Sequence, residues 1–246
     1  LPVPFPGLSA YWLFLTTSAN ITIARQLVHS MKNDVVCKES SIHDIIPQEL
    51  IPYHEAINMA FARIEQNMVV SSWTDSASSS LSRLEVNQYI EVPVNGCYKD
   101  RKWTEIDRDK IDEVANRFFS IGGEHGWYYA DSLWRLRGTL DKLLGGVGLS
   151  RGRRSKIDVE AGDTIDFWRV ILADRKNYRL LLFAEMKLPG EAWLEFAIVN
   201  NENRSILKQT ATFRPKGIMG RNYWYAMLPF HFFIFRNMLK RIAGKT

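Results

Sequence analysis

Apolar residues recur with helical spacing at two places early in the chain: Ile21, Ala24, Leu27, Val28 and Met31, then Ile57, Ala60, Phe61 and Ile64. Side chains three and four residues apart share one helix face, so these runs predict helices over 21–31 and 53–66, the second opening just after Pro52. Leu1 to Gly7, with prolines at 2, 4 and 6, reads as an irregular loop. Neither helix is accompanied by enough strands to close a core. Residues 71–82, SSWTDSASSSLS, are serine-rich and nearly uncharged, which predicts a flexible connector and a boundary.

After that boundary the period changes. Extended structure is predicted from Asn87, with a turn at Asn95-Gly96. Ile111, Val114, Ala115 and Phe118 predict a helix over 107–119, and Leu133, Leu136, Leu140 and Leu143 share one side of a helix over 129–144 that Gly145 and Gly146 end. Four runs, 164–172, 178–187, 192–199 and 206–213, are separated by DRKN, LPGE and NENR, an antiparallel meander. Strand alternation gives one mostly apolar face: Trp168, Val170, Leu182, Ala184, Met186, Leu194, Phe196, Gln209, Ala211 and Phe213. The opposite positions, Arg169, Glu185, Lys187, Glu195 and Lys208, predict cross-strand ion pairs at the outer surface with no catalytic role.

The final run, 220–243, is apolar on nearly every side up to Arg236, with Pro229 as a kink. Such a helix has to be enclosed, and a curved sheet would do it. Its uninterrupted apolar stretch falls short of the about 20 residues a membrane span needs. The fold class expected is therefore α+β: an antiparallel sheet around a long C-terminal helix, preceded by a helical segment.

A chain of 246 residues with 46% hydrophobic and 24% charged side chains reads as an ordinary globular protein. Charge is uneven: residues 1–100 carry 6 basic and 10 acidic side chains, residues 101–246 carry 26 and 17, or −4 against +9. A basic half attracts phosphate, anionic lipid or nucleic acid, but is more often a solvated face. No base-reading element accompanies the pI of 9.2, so no specific nucleic-acid partner is predicted. Cys37 and Cys97 match no metal or redox spacing, which suits free structural thiols in a reducing, cytoplasmic setting. Leu1 to Gly7 has no basic leader or cleavage pattern, and the missing initiator methionine predicts further residues upstream.

Catalytic motifs are weak. Gly146, Gly148 and Gly152 spell GxGxxxG after a helix rather than a strand, which marks a structural turn; Arg151, Arg153, Arg154 and Lys156 beside them read as an exposed basic turn. Tyr98 and Lys102 imitate a YxxxK pair, but on a strand they stand about 13 Å apart, so the match is accidental. The histidines form no HExxH or tight cluster, so no metal is predicted. His231 lies inside the apolar terminal helix, where a satisfied core histidine is favoured over a ligand contact.

The order of helix, glycine-aromatic segment, antiparallel strands and long terminal helix resembles the helix-grip fold of the START-like, or Bet v 1-like, superfamily. Residues 95–246 resemble the DUF2867 domain through GWYYADSLWRLRG, GGVGLSRGRR, GDTIDFWRV, AEMKLPGEAWLEF and YWYAMLPFH. Residues 1–75, through LPVPFPGLSAYWLFLTT and VVSSW, resemble the tail of the substrate lobe of an NmrA-like atypical short-chain dehydrogenase/reductase, with 76–94 as linker and entry strand. This second resemblance implies an upstream Rossmann domain as partner and NAD(P) as cofactor of a longer oxidoreductase or nucleotide-sugar epimerase-like protein. The chain lacks the family's glycine-rich unit, which implies no cofactor and no catalytic residue here.

The expected function is a noncatalytic module that binds an apolar or amphipathic small molecule or docks a reductase. Its candidate wall combines the aromatics Trp127, Tyr128, Trp168, Phe196, Phe213 and Trp224 with Met186, while Gln209 and His231 orient the ligand. Peripheral membrane contact through the terminal helix, with Arg236, Lys240 and Arg241, is the third expectation.

Overall fold

A computed structural model describes residues 6–16, 21–31, 33–34, 36, 41–47, 49–65, 91–148, 158–200 and 204–245. The chain divides into two compact units, Leu1–Ser71 and Ser72–Thr246. The expected connector at 71–82, Cys37 and the basic turn from Arg151 to Lys156 fall outside the described residues.

The first unit contains α1 (Pro6–Thr16), α2 (Ile21–Ser30), α3 (Ser41–Ile45) and α4 (Tyr53–Glu65). The loop expected up to Gly7 gives way to α1 at Pro6, because proline at the first helical position lacks only an N–H that would go unpaired anyway. Ala10, Ala24 and Val28 form a small buried cluster, with Leu13 against it.

In the second unit, β1 (Tyr98–Ile106) leads through a 3-10 turn, Arg108–Lys110, to α5 (Ile111–Phe119) and α6 (Asp131–Leu143). Then follow β2 (Thr164–Ile165), β3 (Trp168–Asp174), β4 (Arg179–Ala184), β5 (Gly190–Asn200), β6 (Ser205–Pro215) and α7 (Gly217–Ile242). The sheet order is β1-β6-β5-β4-β3-β2, antiparallel throughout. The meander thus runs in sequence order, and β1 closes on its last strand with Tyr98 opposite Phe213. The run read as one strand over 164–172 is a tight hairpin, turned by Asp166 at φ 52° and Phe167.

Alternation sends Val170, Leu182, Leu194, Phe196 and Ala211 to one face, where they meet α5 and α7 in a single core. Phe118 of α5 stacks on Phe196 at 6.1 Å, and Met238, Leu239 and Ile242 of α7 are buried beside it. Burying each of these large apolar side chains contributes about 1.5–3 kcal/mol. Gly220 permits close entry of α7: a Cβ there would stand 2.3 Å from the Pro189 carbonyl oxygen.

Two further expectations fail. The terminal helix is not enclosed: Gly220, Trp224, Phe235, Met238, Leu239 and Ile242 are its buried residues, whereas Phe230, Phe232 and Phe233 are half exposed or more. An open sheet covers a stripe of a helix rather than its whole circumference. Nor is Arg169–Glu185 a surface pair. Arg169 Nε donates to Glu185 Oε1 at 2.9 Å with both side chains almost wholly buried, and Arg169 Nη1 donates to the Gly162 carbonyl at 2.8 Å. The sheet's second face carries a small core of its own, Ile171, Leu181, Phe183 and Trp193, with Val92 packed on it.

Candidate functional site

The site is built from α6. Its buried positions are Trp134, Gly138 and Asp141, one turn-to-turn stripe. The leucine side predicted for this helix turns the other way, and Leu136, Leu140 and Leu143 are about half exposed. Asp141 fixes this rotation: its Oδ1 accepts from the Lys187 N–H at 2.8 Å and its Oδ2 from the Gly148 N–H at 2.9 Å. Gly146 belongs to the same knot, since a Cβ there would lie 2.2 Å from Asp141 Oδ2. The GxG of 146–148 therefore wraps a protein carboxylate.

A cavity of 270 Å³ lies between α6, one face of the sheet and α7. From α6 come Leu133, Leu136 and Leu140; from the sheet and its connections come Trp168, Met186, Ala211 and Phe213; from α7 come Trp224, Met227, Phe230 and His231. Ring stacking makes one wall rigid. Trp224 lies parallel to two rings from directly opposed positions of β6 and β1, Phe213 at 5.8 Å and Tyr98 at 5.7 Å. His231 meets Trp224 edge-on at 5.3 Å and stacks on Phe235 at 4.6 Å.

Burial pushes the His231 imidazole down to about 4, against a raising influence from Asp100 and a lowering one from Lys102, so the ring is neutral near pH 7. Its Nδ1 has no hydrogen-bond partner among the described residues, in contrast to the satisfied core histidine expected. Lys102 and Asp100 form an ion pair on β1, and the Lys102 ammonium stands over the Phe232 ring at 5.9 Å.

Residues 95–238 match the model of a family described as a protein of unknown function, DUF2867, and that stretch holds every cavity element from α6 to the middle of α7. The chain belongs to the DUF2867 family. Similar solved structures include Ara h 8.0201, 11% identical with a TM-score of 0.32 over 61% of this chain and 100% of that one. CalU16 from Micromonospora echinospora is 10% identical with a TM-score of 0.29, over 60% of this chain and 81% of that one. No curated protein matches the chain.

Of the nine candidate residues in this DUF2867 unit, Trp168, Met186, Phe213, Trp224 and His231 line the cavity. The other four lie elsewhere. Trp127 stacks on Trp134 at 4.6 Å and donates from Nε1 to Asp166 Oδ2 at 2.8 Å. Tyr128 donates its hydroxyl to the Arg117 carbonyl at 2.9 Å, and Phe196 fills the core against Phe118. Gln209 is 1% exposed, with neither amide atom partnered among the described residues. The wall residues that sequence reasoning missed are chiefly Leu133, Leu136, Leu140, Ala211, Met227 and Phe230. The leucine spacing of α6 was the available signal, because an apolar stripe left out of the core is free to line an opening.

Proposed function

We propose that the DUF2867 unit is a noncatalytic binding module holding one small, predominantly apolar molecule between α6, the sheet and α7. The cavity itself carries this reading: three separate elements leave 270 Å³ unfilled where large side chains could have closed it. That volume sits just below the about 300–1,000 Å³ of common ligand pockets, which favours a compact ligand over a long-chain lipid. Apolar ligand surface buried there contributes about 25 cal/mol per Å² before ordering costs. The test is titration with the fluorescent apolar probe N-phenyl-1-naphthylamine. Saturable one-to-one binding that Ala211→Leu abolishes supports the module; equal binding by a folded Ala211→Leu variant refutes it.

The rim favours a second reading, loading of the ligand at a membrane surface. Leu136, Leu140 and Phe230 line the cavity and are also about half exposed, with Phe232 and Phe233 exposed on the same helix as Arg236 and Lys240. Arg241 serves the fold instead, donating to the Tyr128 carbonyl at 3.1 Å. No helix among the described residues is long and apolar enough to cross a membrane. Co-sedimentation with anionic vesicles at low salt, lost in Phe233→Asp, supports surface loading; absence of co-sedimentation refutes it.

The reductase alternative rests on the resemblance of residues 1–75 to an NmrA-like lobe and concerns a longer polypeptide. Nicotinamide binding by such a polypeptide but not by these 246 residues would support it.

A further inference from the structure

The cavity reading leaves the chemistry of the ligand open, and the polar groups beside His231 narrow it. Gln209, Ala211 and Phe213 alternate onto one face of β6, and the last two line the cavity. Opposite them on β1, Lys102 pairs with Gln209 and Asp100 with Ala211 in the strand register. Polar side chains thus gather toward the β1–β6 edge, near His231. Trp168 on β3, several strands away, and Met186 beyond β4 make the far side apolar.

His231 has the position to read a ligand. It lines the cavity, its ring is clamped by Phe235 and Trp224, and its Nδ1 is unpartnered among the described residues. As the imidazole on a mostly aromatic and aliphatic wall, it can exchange one hydrogen bond with a neutral polar atom of a ligand. The nearby formal charges are already committed. Lys102 pairs with Asp100, and Arg137 on the cavity wall lies 3.8 Å from Asp141 and donates to the Lys187 carbonyl at 3.4 Å. The neutral imidazole supplies a hydrogen bond but no charge to balance an anion.

We propose that the molecule held in the cavity is an uncharged, largely apolar compound bearing a single hydroxyl or carbonyl, and that this group hydrogen-bonds to His231. This assignment rests on the cavity reading above. The experiment compares naphthalene, 1-naphthol and 1-naphthoate at pH 7 by displacement of N-phenyl-1-naphthylamine from the wild type, His231→Phe and His231→Gln. In the wild type, 1-naphthol binds about threefold to tenfold more tightly than naphthalene, the range expected for one neutral hydrogen bond, and 1-naphthoate binds more weakly than 1-naphthol. His231→Phe binds both neutral compounds equally, and His231→Gln restores the preference.

Equal wild-type affinities for naphthalene and 1-naphthol, a preference that survives in His231→Phe, or tightest binding of 1-naphthoate each overturns the assignment while leaving the cavity reading intact. Failure of the wild type to bind N-phenyl-1-naphthylamine overturns both, whereas binding of that probe with displacement by none of the three overturns the assignment alone. If His231→Phe does not fold, as judged by its thermal melt, the wild-type ranking decides by itself.

Discussion

The carboxylate of Asp141 reaches across from α6 to accept the Lys187 backbone N–H at 2.8 Å, and it does so with no solvent exposure at all. That contact ties the helix on one side of the cavity to the connection between β4 and β5 on the other. Removing it strands two backbone donors, Lys187 and Gly148, away from water. Asp141→Ala is expected to cost about 2–4 kcal/mol in urea denaturation. A loss within about 0.5 kcal/mol, typical of a surface site, would contradict the role.

The buried Arg169–Glu185 pair makes an asymmetric prediction. Glu185→Ala leaves a guanidinium buried without its carboxylate and should cost about 3–5 kcal/mol, whereas an exposed pair is worth at most about 1 kcal/mol. Replacing both residues with apolar ones, Arg169→Met with Glu185→Leu, should recover most of that loss. A double variant no more stable than Glu185→Ala would show that Arg169 matters through Gly162 instead.

Two groups give stability opposite slopes in acid. Burial raises the Asp166 carboxyl to about 6, despite the hydrogen bond from Trp127 and with Asp131 adding to the rise. Between its unfolded value near 4 and about 6 the folded state binds the extra proton, so this group lowers stability as pH rises. Asp166→Asn should therefore match the wild type near pH 4 and exceed it by about 2–3 kcal/mol at pH 7. Asparagine also tolerates the left-handed backbone at this position.

His231 works in reverse. Its unfolded form takes a proton below about 6.5 and its folded form only near 4, so stability is lost as pH falls through that window. Relative to the wild type, His231→Phe should gain about 3 kcal/mol between pH 7 and pH 4. Guanidinium unfolding at a series of pH values checks both variants. A pH-independent difference for either one sinks its assignment.

Trp168 and Phe196 were indistinguishable as candidates by sequence, and the structure separates them. Phe196→Ala should destabilise the unit by about 3–5 kcal/mol through a core cavity, yet leave probe affinity nearly unchanged in molecules that remain folded. Trp168→Ala should weaken the probe at least fivefold, since it removes cavity wall. Titration of both variants alongside their melting curves distinguishes the two roles.

These differences show where the sequence was readable. Period-2 alternation correctly oriented Trp168 and Phe213, because one buried sheet face fixes every second side chain, whereas Met186 lies in the bend beyond the end of β4. The α6 leucines misled, since the stripe that packs is Trp134, Gly138 and Asp141, in which a glycine and a carboxylate disguise the buried side. Arg169 and Glu185 looked solvated because no local pattern announces that residues around Gly162 will cover them. Trp127 and Tyr128 sit in a turn with no period, where Tyr128 takes φ 62° and their directions follow from tertiary hydrogen bonds.

Diffraction from crystals held under xenon pressure probes the cavity itself, because xenon occupies preformed, dry apolar cavities. Xenon density bounded by Trp168, Ala211 and Trp224 is expected in the wild type, and none at that place in Ala211→Leu. Side chains closed over that space with no xenon between them would contradict that expectation.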